Sequence, residues 1–102
     1  MEELELLCFK MIAGAGEART NFINAIEEAK NKKYDEAAAL IEKGDMAFNE
    51  GHLAHANLLQ KEAGGKKTEL SLLLMHAEDQ LMCSESFRFM ALELIDLYKI
   101  VE

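Results

Sequence analysis

Residues 2–30 read EELELLCFKMIAGAGEARTNFINAIEEAK, and the spacing of their apolar side chains decides the fold. Leu4, Leu7, Met11, Ala15, Ala18, Phe22, Ala25 and Ala29 follow one another in steps of three and four, the repeat of a helix that buries one seam. Ile12, Ile23 and Ile26 widen the stripe. Gly14 and Gly16 interrupt it, each at a cost of about 1 kcal/mol against Ala, and such a cost marks a close backbone approach or a local bend.

Working outward, Asn31-Lys32-Lys33 is a polar break, and Tyr34 or Asp35 opens a second helix with Asp35 and Glu36 at its electropositive end. Its stripe reads Tyr34, Ala37, Ile41, Gly44, Phe48, Gly51, His55 and Leu58, and Gly64-Gly65 stops it. A third helix begins near Thr68, with Ser71 as a second candidate cap, and turns Leu70, Leu74, Ala77, Leu81, Leu92, Ile95 and Tyr98 inward. The chain thus reads as one all-α domain over 1–102, an antiparallel three-helix bundle with helices at about 2–30, 34–63 and 68–101.

Leu72, Leu73, Leu74 and Met75 are consecutive and cover nearly every side of the third helix. A three-helix bundle cannot bury all sides of one of its own helices. The excess predicts a subunit contact, in a trimer or another closed oligomer; an overhanging loop is the alternative, less favoured because the connection reads as only about four residues.

Bulk composition narrows the function. Half of the 102 residues are apolar, none is Pro, and the formal charge is −8. Without a basic block, nucleic acid and anionic membrane are disfavoured, whereas a basic protein partner suits the charge. No apolar run approaches the ~20 residues of a membrane span. Two cysteines, Cys8 and Cys83, fall in helical patterns, and the acidic start shows no signal peptide, so the expectation is a cytoplasmic protein with reduced thiols.

Three histidines are the candidates for chemistry. His76 stands in Leu74-Met75-His76-Ala77-Glu78-Asp79-Gln80-Leu81-Met82, with Asp79 and Gln80 one turn on, where they can orient an imidazole or a group attached to it. A neutral imidazole is a competent nucleophile near pH 7. By spacing alone, an exposed or hydrogen-bonded helix histidine without a role is the favoured reading. His52 and His55, three apart, could join His76 in a metal site or be plain interface histidines. In a three-fold assembly with the third helix near the axis, three copies of Asp79 would meet and need a proton, water or a cation between them. A helical scaffold without chemistry is the rival from another class.

Four stretches carry a family likeness: Ile12-Ala13-Gly14-Ala15-Gly16-Glu17-Ala18-Arg19; His52 through Gln60-Lys61-Glu62-Ala63-Gly64, with the break that follows; Met75 to Met82; and Leu94-Ile95-Asp96-Leu97-Tyr98-Lys99. In order and over essentially the whole chain, they resemble the IIA component of the lactose/cellobiose (and chitobiose) branch of the bacterial sugar phosphotransferase system. The resemblance implies a homotrimer of three-helix protomers that carries phosphate in sugar transport. It implies that His76 takes phosphate from the phosphohistidine of HPr and passes it to a cysteine of the IIB component. It implies that Asp79 binds a divalent cation, taken as magnesium, one per trimer on the axis. Gln80, a candidate for orienting the phosphohistidine, stands where some members have His, while His55 and Ala56 stand where Gln and Thr are common. The Glu78-Asp79-Gln80 wording leans towards cellobiose-type members over lactose-type ones.

Overall fold

The computed structural model describes residues 2–101; Met1 and Glu102, the ends of the expected 1–102 domain, lie outside the described residues. Three helices follow in order: α1 (Glu3–Lys30), α2 (Tyr34–Ala63) and α3 (Leu72–Val101). They form a rod of 52 × 21 × 21 Å, in which α1 packs along both other helices while α2 and α3 meet sparsely.

The α1 seam is buried as its spacing predicts: Leu7, Met11, Ala15, Ala18, Phe22, Ala25 and Ala29 all face inward, and Leu4 packs beside them. Ile12 and Ile26 flank the core, but Ile23 is exposed, because a stripe that wide exceeds what two partner helices cover. Gly14 is the close approach: a Cβ there would lie 2.8 Å from the Ala47 carbonyl oxygen and 2.9 Å from the Gly51 nitrogen. Gly44 receives the ring of Phe22, one of the largest fully buried side chains. Gly16 has open space at its Cβ position, so the close-approach reading holds for Gly14 and not for Gly16. On α2, Ala47 and Ala54 are buried where Phe48 and His55 were expected at the centre of the stripe; those two are half-buried beside them.

Both connections are built from helix-ending turns. After α1, Lys32 takes a left-handed conformation (φ 62°), its N–H donates to the Ala29 carbonyl, and Lys33 N–H donates to Glu28. After α2, Gly65 does the same at φ 94°, with Gly65 N–H to Glu62 and Lys66 N–H to Lys61. Each pair satisfies carbonyls that a helix end leaves open.

The start of α3 differs from expectation. The helix opens at Leu72, not near Thr68, because the Ser71 hydroxyl accepts the Leu74 N–H (3.1 Å) and caps the first turn. Leu70 therefore lies in the connection and is 81% exposed instead of inward. The connection runs over residues 64–71, longer than the sequence suggested, yet it leaves Leu72 and Met75 uncovered. Leu74, Ala77, Leu81 and Ile95 are buried, with Leu92 and Tyr98 packed at the edge. Ser84 and Ala91, which the apolar stripe skipped, are fully buried as well.

Candidate functional site

The Ser71 cap sets where α3 begins, and the burial of Leu74, Ala77, Leu81 and Ser84 sets its rotation, which decides what each residue faces. Leu74 and Ala77 turn to the core, which leaves Met75 and His76 exposed in the first turns. Glu78 and Gln80 fall at the two flanks, half-buried, and Asp79 points outward. His76 is thus an accessible imidazole beside the exposed side chains of Leu72 and Met75.

Each flank is tied to a neighbouring helix. On the α2 side, His55 Nε2 lies 2.8 Å from Glu78 Oε1. On the α1 side, Arg19 donates from a terminal guanidinium nitrogen to Gln80 Oε1 at 3.0 Å. One turn further along, the buried Ser84 hydroxyl donates to the Ala15 carbonyl (3.2 Å). Arg88 clamps the carboxylate of Asp45 with two N–H groups, one at 3.0 Å, and that carboxylate holds the guanidinium pKa above its ordinary value. Beneath the site, Cys8 is fully buried, and burial, with the charges of Glu78 and Glu5 behind it, pushes its thiol up.

The three histidines do not converge. His52 stacks on Phe48 with ring centroids 6.0 Å apart, and His55 is engaged by Glu78. Among the described residues no group of three or more His, Cys, Asp or Glu could hold a metal, so the His52–His55–His76 metal site is not formed within one chain. Asp79 sits on the outer face of α3, its Oδ1 3.6 Å from the Cys83 sulfur, in an open groove lined also by Met82, Ser86 and Met90. No described helix is long and apolar enough to cross a membrane.

Helical spacing brought Gln80 to His76, but it could not reveal Arg19 or the His55–Glu78 contact. Both are pairings between helices, and Arg19 is separated from Gln80 by 61 positions. Arg19 could have been found only once the register of the parallel α1–α3 pair was known.

The sequence profile described as "PTS system, Lactose/Cellobiose specific IIA subunit" matches residues 6–99. The chain belongs to the lactose/cellobiose-specific IIA family of the phosphotransferase system. As such it is a phosphocarrier component of sugar transport. It is 42% identical over 95 residues to the oligo-beta-mannoside-specific EIIA component of Bacillus subtilis, covering 93% of this chain and 86% of that one. It is 40% identical over 98 residues to the lactose-specific EIIA component of Streptococcus mutans, covering 96% and 94%. Among solved structures, the cellobiose-specific enzyme IIA from Bacillus anthracis superposes with a TM-score of 0.95 at 40% identity, covering 99% and 93%. The IIA(Chitobiose) protein solved in complex with HPr, from the Escherichia coli N,N'-diacetylchitobiose branch, gives 0.84 at 36% identity, covering 99% and 98%.

Proposed function

We propose that this IIA protein accepts a phosphoryl group on His76 from the phosphohistidine of HPr and passes it to a cysteine of the IIB component. The observation that carries the reading is His76 itself: an exposed imidazole on a rigid helix, with an amide one turn on and apolar side chains around it. The chitobiose relative solved with HPr supports HPr as donor.

In the first step the donor's N–P bond breaks, its electron pair staying on the donor imidazole, while a ring-nitrogen lone pair of His76 forms a new N–P bond. In the second, the thiolate of IIB forms an S–P bond as the His76 N–P bond breaks. Both steps pass through a loose transition state in which positioning and charge stabilisation dominate. An exposed histidine suits this work because two different partners must reach the same atom. Glu78 and Asp79 repel the phosphoryl group and favour its onward transfer.

The working assembly is a homotrimer joined through the outer face of α3. Leu72, Met75, Met82, Phe89, Leu97 and Ile100 are each 52–81% exposed there, a row of apolar side chains that a subunit contact would cover. One Asp79 makes no cage, but three would present a set of hard oxygen donors, which suits magnesium better than a soft metal. Such an ion would neutralise the facing carboxylates. The setting is the cytoplasm.

The relatives carry lactose, oligo-β-mannoside and lichenan names at 38–42% identity, so the sugar leaves little trace in a carrier that never handles it. A cellobiose-like disaccharide in preference to lactose is the reading that the Glu78-Asp79-Gln80 wording favours.

Incubation with HPr, its kinase and labelled phosphoenolpyruvate tests the proposal. Label should appear at His76 and vanish in His76→Ala with helicity and oligomer size unchanged. An unlabelled wild-type protein, or label mapped to another residue, overturns it and favours the scaffold reading. In the same preparations Asp79→Leu should lose bound magnesium; unchanged metal content rules out the axial role.

A further inference from the structure

The contact between Arg19 and Gln80 has a chemical consequence for the site. A guanidinium has only donors, so the atom it meets on Gln80 must be the amide oxygen. With that oxygen held, Gln80 has two N–H donors left and faces the rest of the site as a donor alone. Free in water, the same amide would turn either end to a neighbour.

Register fixes the contact. Where α1 and α3 cross closely, Ser84 donates to the Ala15 carbonyl, with no large side chain between the backbones. The two helices run in the same direction, and from one turn beyond Ala15 the long Arg19 side chain reaches back along α3 to Gln80, one turn before Ser84. Ala18 and Leu81, the chain neighbours of the pair, are buried, so neither helix can rotate without opening the core. Arg19 is itself half-buried, which limits the other places its head group can go. Gln80 lies one turn after His76, the distance at which side chains on one helix face meet.

We propose that Arg19 is a positioning residue for phosphoryl transfer: it locks the Gln80 amide with its N–H donors free for the oxygens of a phosphoryl group on His76. This deepens the phosphocarrier reading and rests on it. Arg19 works through Gln80, so its removal lets the amide turn and present an oxygen to an anion, which repels.

The test is a rapid-quench measurement of transfer from phosphorylated HPr to wild type, Arg19→Met, Gln80→Ala and the double variant. Arg19→Met should slow transfer roughly tenfold, the size of one charge-assisted hydrogen bond. The double variant should be no slower than Gln80→Ala alone. Arg19→Lys, which still donates, should recover part of the rate. Gln80→Glu separates function from fold: it keeps, and strengthens, the acceptor for Arg19 but has no donor. That variant should melt no lower than wild type and yet transfer at least as slowly as Gln80→Ala. Wild-type speed in Arg19→Met or in Gln80→Glu overturns the inference, as does an Arg19→Met penalty that multiplies in full on the Gln80→Ala background. Each of these results leaves His76 labelling of the wild type intact, whereas loss of that labelling strikes the phosphocarrier reading itself.

Discussion

The α1–α2 seam and the outer face of α3 are both apolar stripes, yet they are made of opposite materials. The seam uses Gly14, Ala18, Ala47, Gly51 and Ala54, so the two backbones lie almost in contact. The outer face of α3 carries Leu72, Met75, Met82, Phe89 and Ile100, long side chains that their own chain leaves mostly exposed. Buried small residues on a helix mean that its partner is already present and close, since only a near backbone gives them contacts. A continuous row of large exposed ones is the kind of surface that the proposed trimer would cover. The distinction tells intrachain from interchain packing where heptad spacing alone cannot.

The largest effect is expected from filling the seam. In Gly14→Val the new atoms would meet the Ala47 carbonyl and the Gly51 backbone, which cannot swing away as a side chain would. The helices must separate, at a cost of about 3 kcal/mol, the upper end for overpacking. Chemical denaturation would show it as a lowered midpoint. A loss below about 0.5 kcal/mol would mean that the two backbones are not in contact.

Much of this contrast was legible in the sequence. The α1 seam, both bounds of α2, and the surplus of apolar residues around Leu72 to Met75 follow from spacing and helix-ending signals. The start of α3 did not, because Thr68 and Ser71 are equally good caps and only the structure shows whose hydroxyl reaches a helix N–H. The buried Ala47, Ala54 and Ser84 escaped notice because small residues leave a weak hydropathy signal. At the site, the position of His76 was readable from one helix. Its braces were not, since Arg19–Gln80 and His55–Glu78 depend on how the helices slide against one another.

The two cysteines sample the two regions and give an effect of middle size. Cys8 is fully buried beside the seam, and Cys83 is exposed on the outer face of α3. A thiol reagent should modify Cys8 only on unfolding. Cys83 should react fast in dilute protein and slowly once the proposed trimer forms. Phe89→Glu, which puts a charge on the same face, should dissociate the assembly and make Cys83 fast at every concentration. Concentration-independent labelling of wild type would break the interchain half of the comparison. Cys8 also links stability to pH. Burial raises its thiol pKa in the folded state, so the native protein holds that proton more tightly than the unfolded chain. Its contribution is complete below the titration of an unfolded thiol and falls as pH rises from there to the raised native value. Denaturation midpoints between about pH 7 and about pH 10 should therefore decline more in wild type than in Cys8→Ala.

The smallest effect sharpens the contrast most. Gly16 lies two residues from Gly14, on the same helix, but nothing stands within 4 Å of where its Cβ would be. Within one protomer, Gly16→Ala has no steric cost and restricts the unfolded chain, so it should stabilise by about 0.5–1 kcal/mol. That gain should appear in dilute, dissociated protein. If the same substitution weakens the trimer at higher concentration, a partner's atoms must occupy the space that the single chain leaves open. Gly16 would then be a seam residue of the interchain kind, small because a neighbouring subunit comes close, and the rule drawn from α1 and α2 would extend across the subunit boundary. If it stabilises at every concentration, the glycine has no packing role in either setting and lies outside the proposed trimer contact.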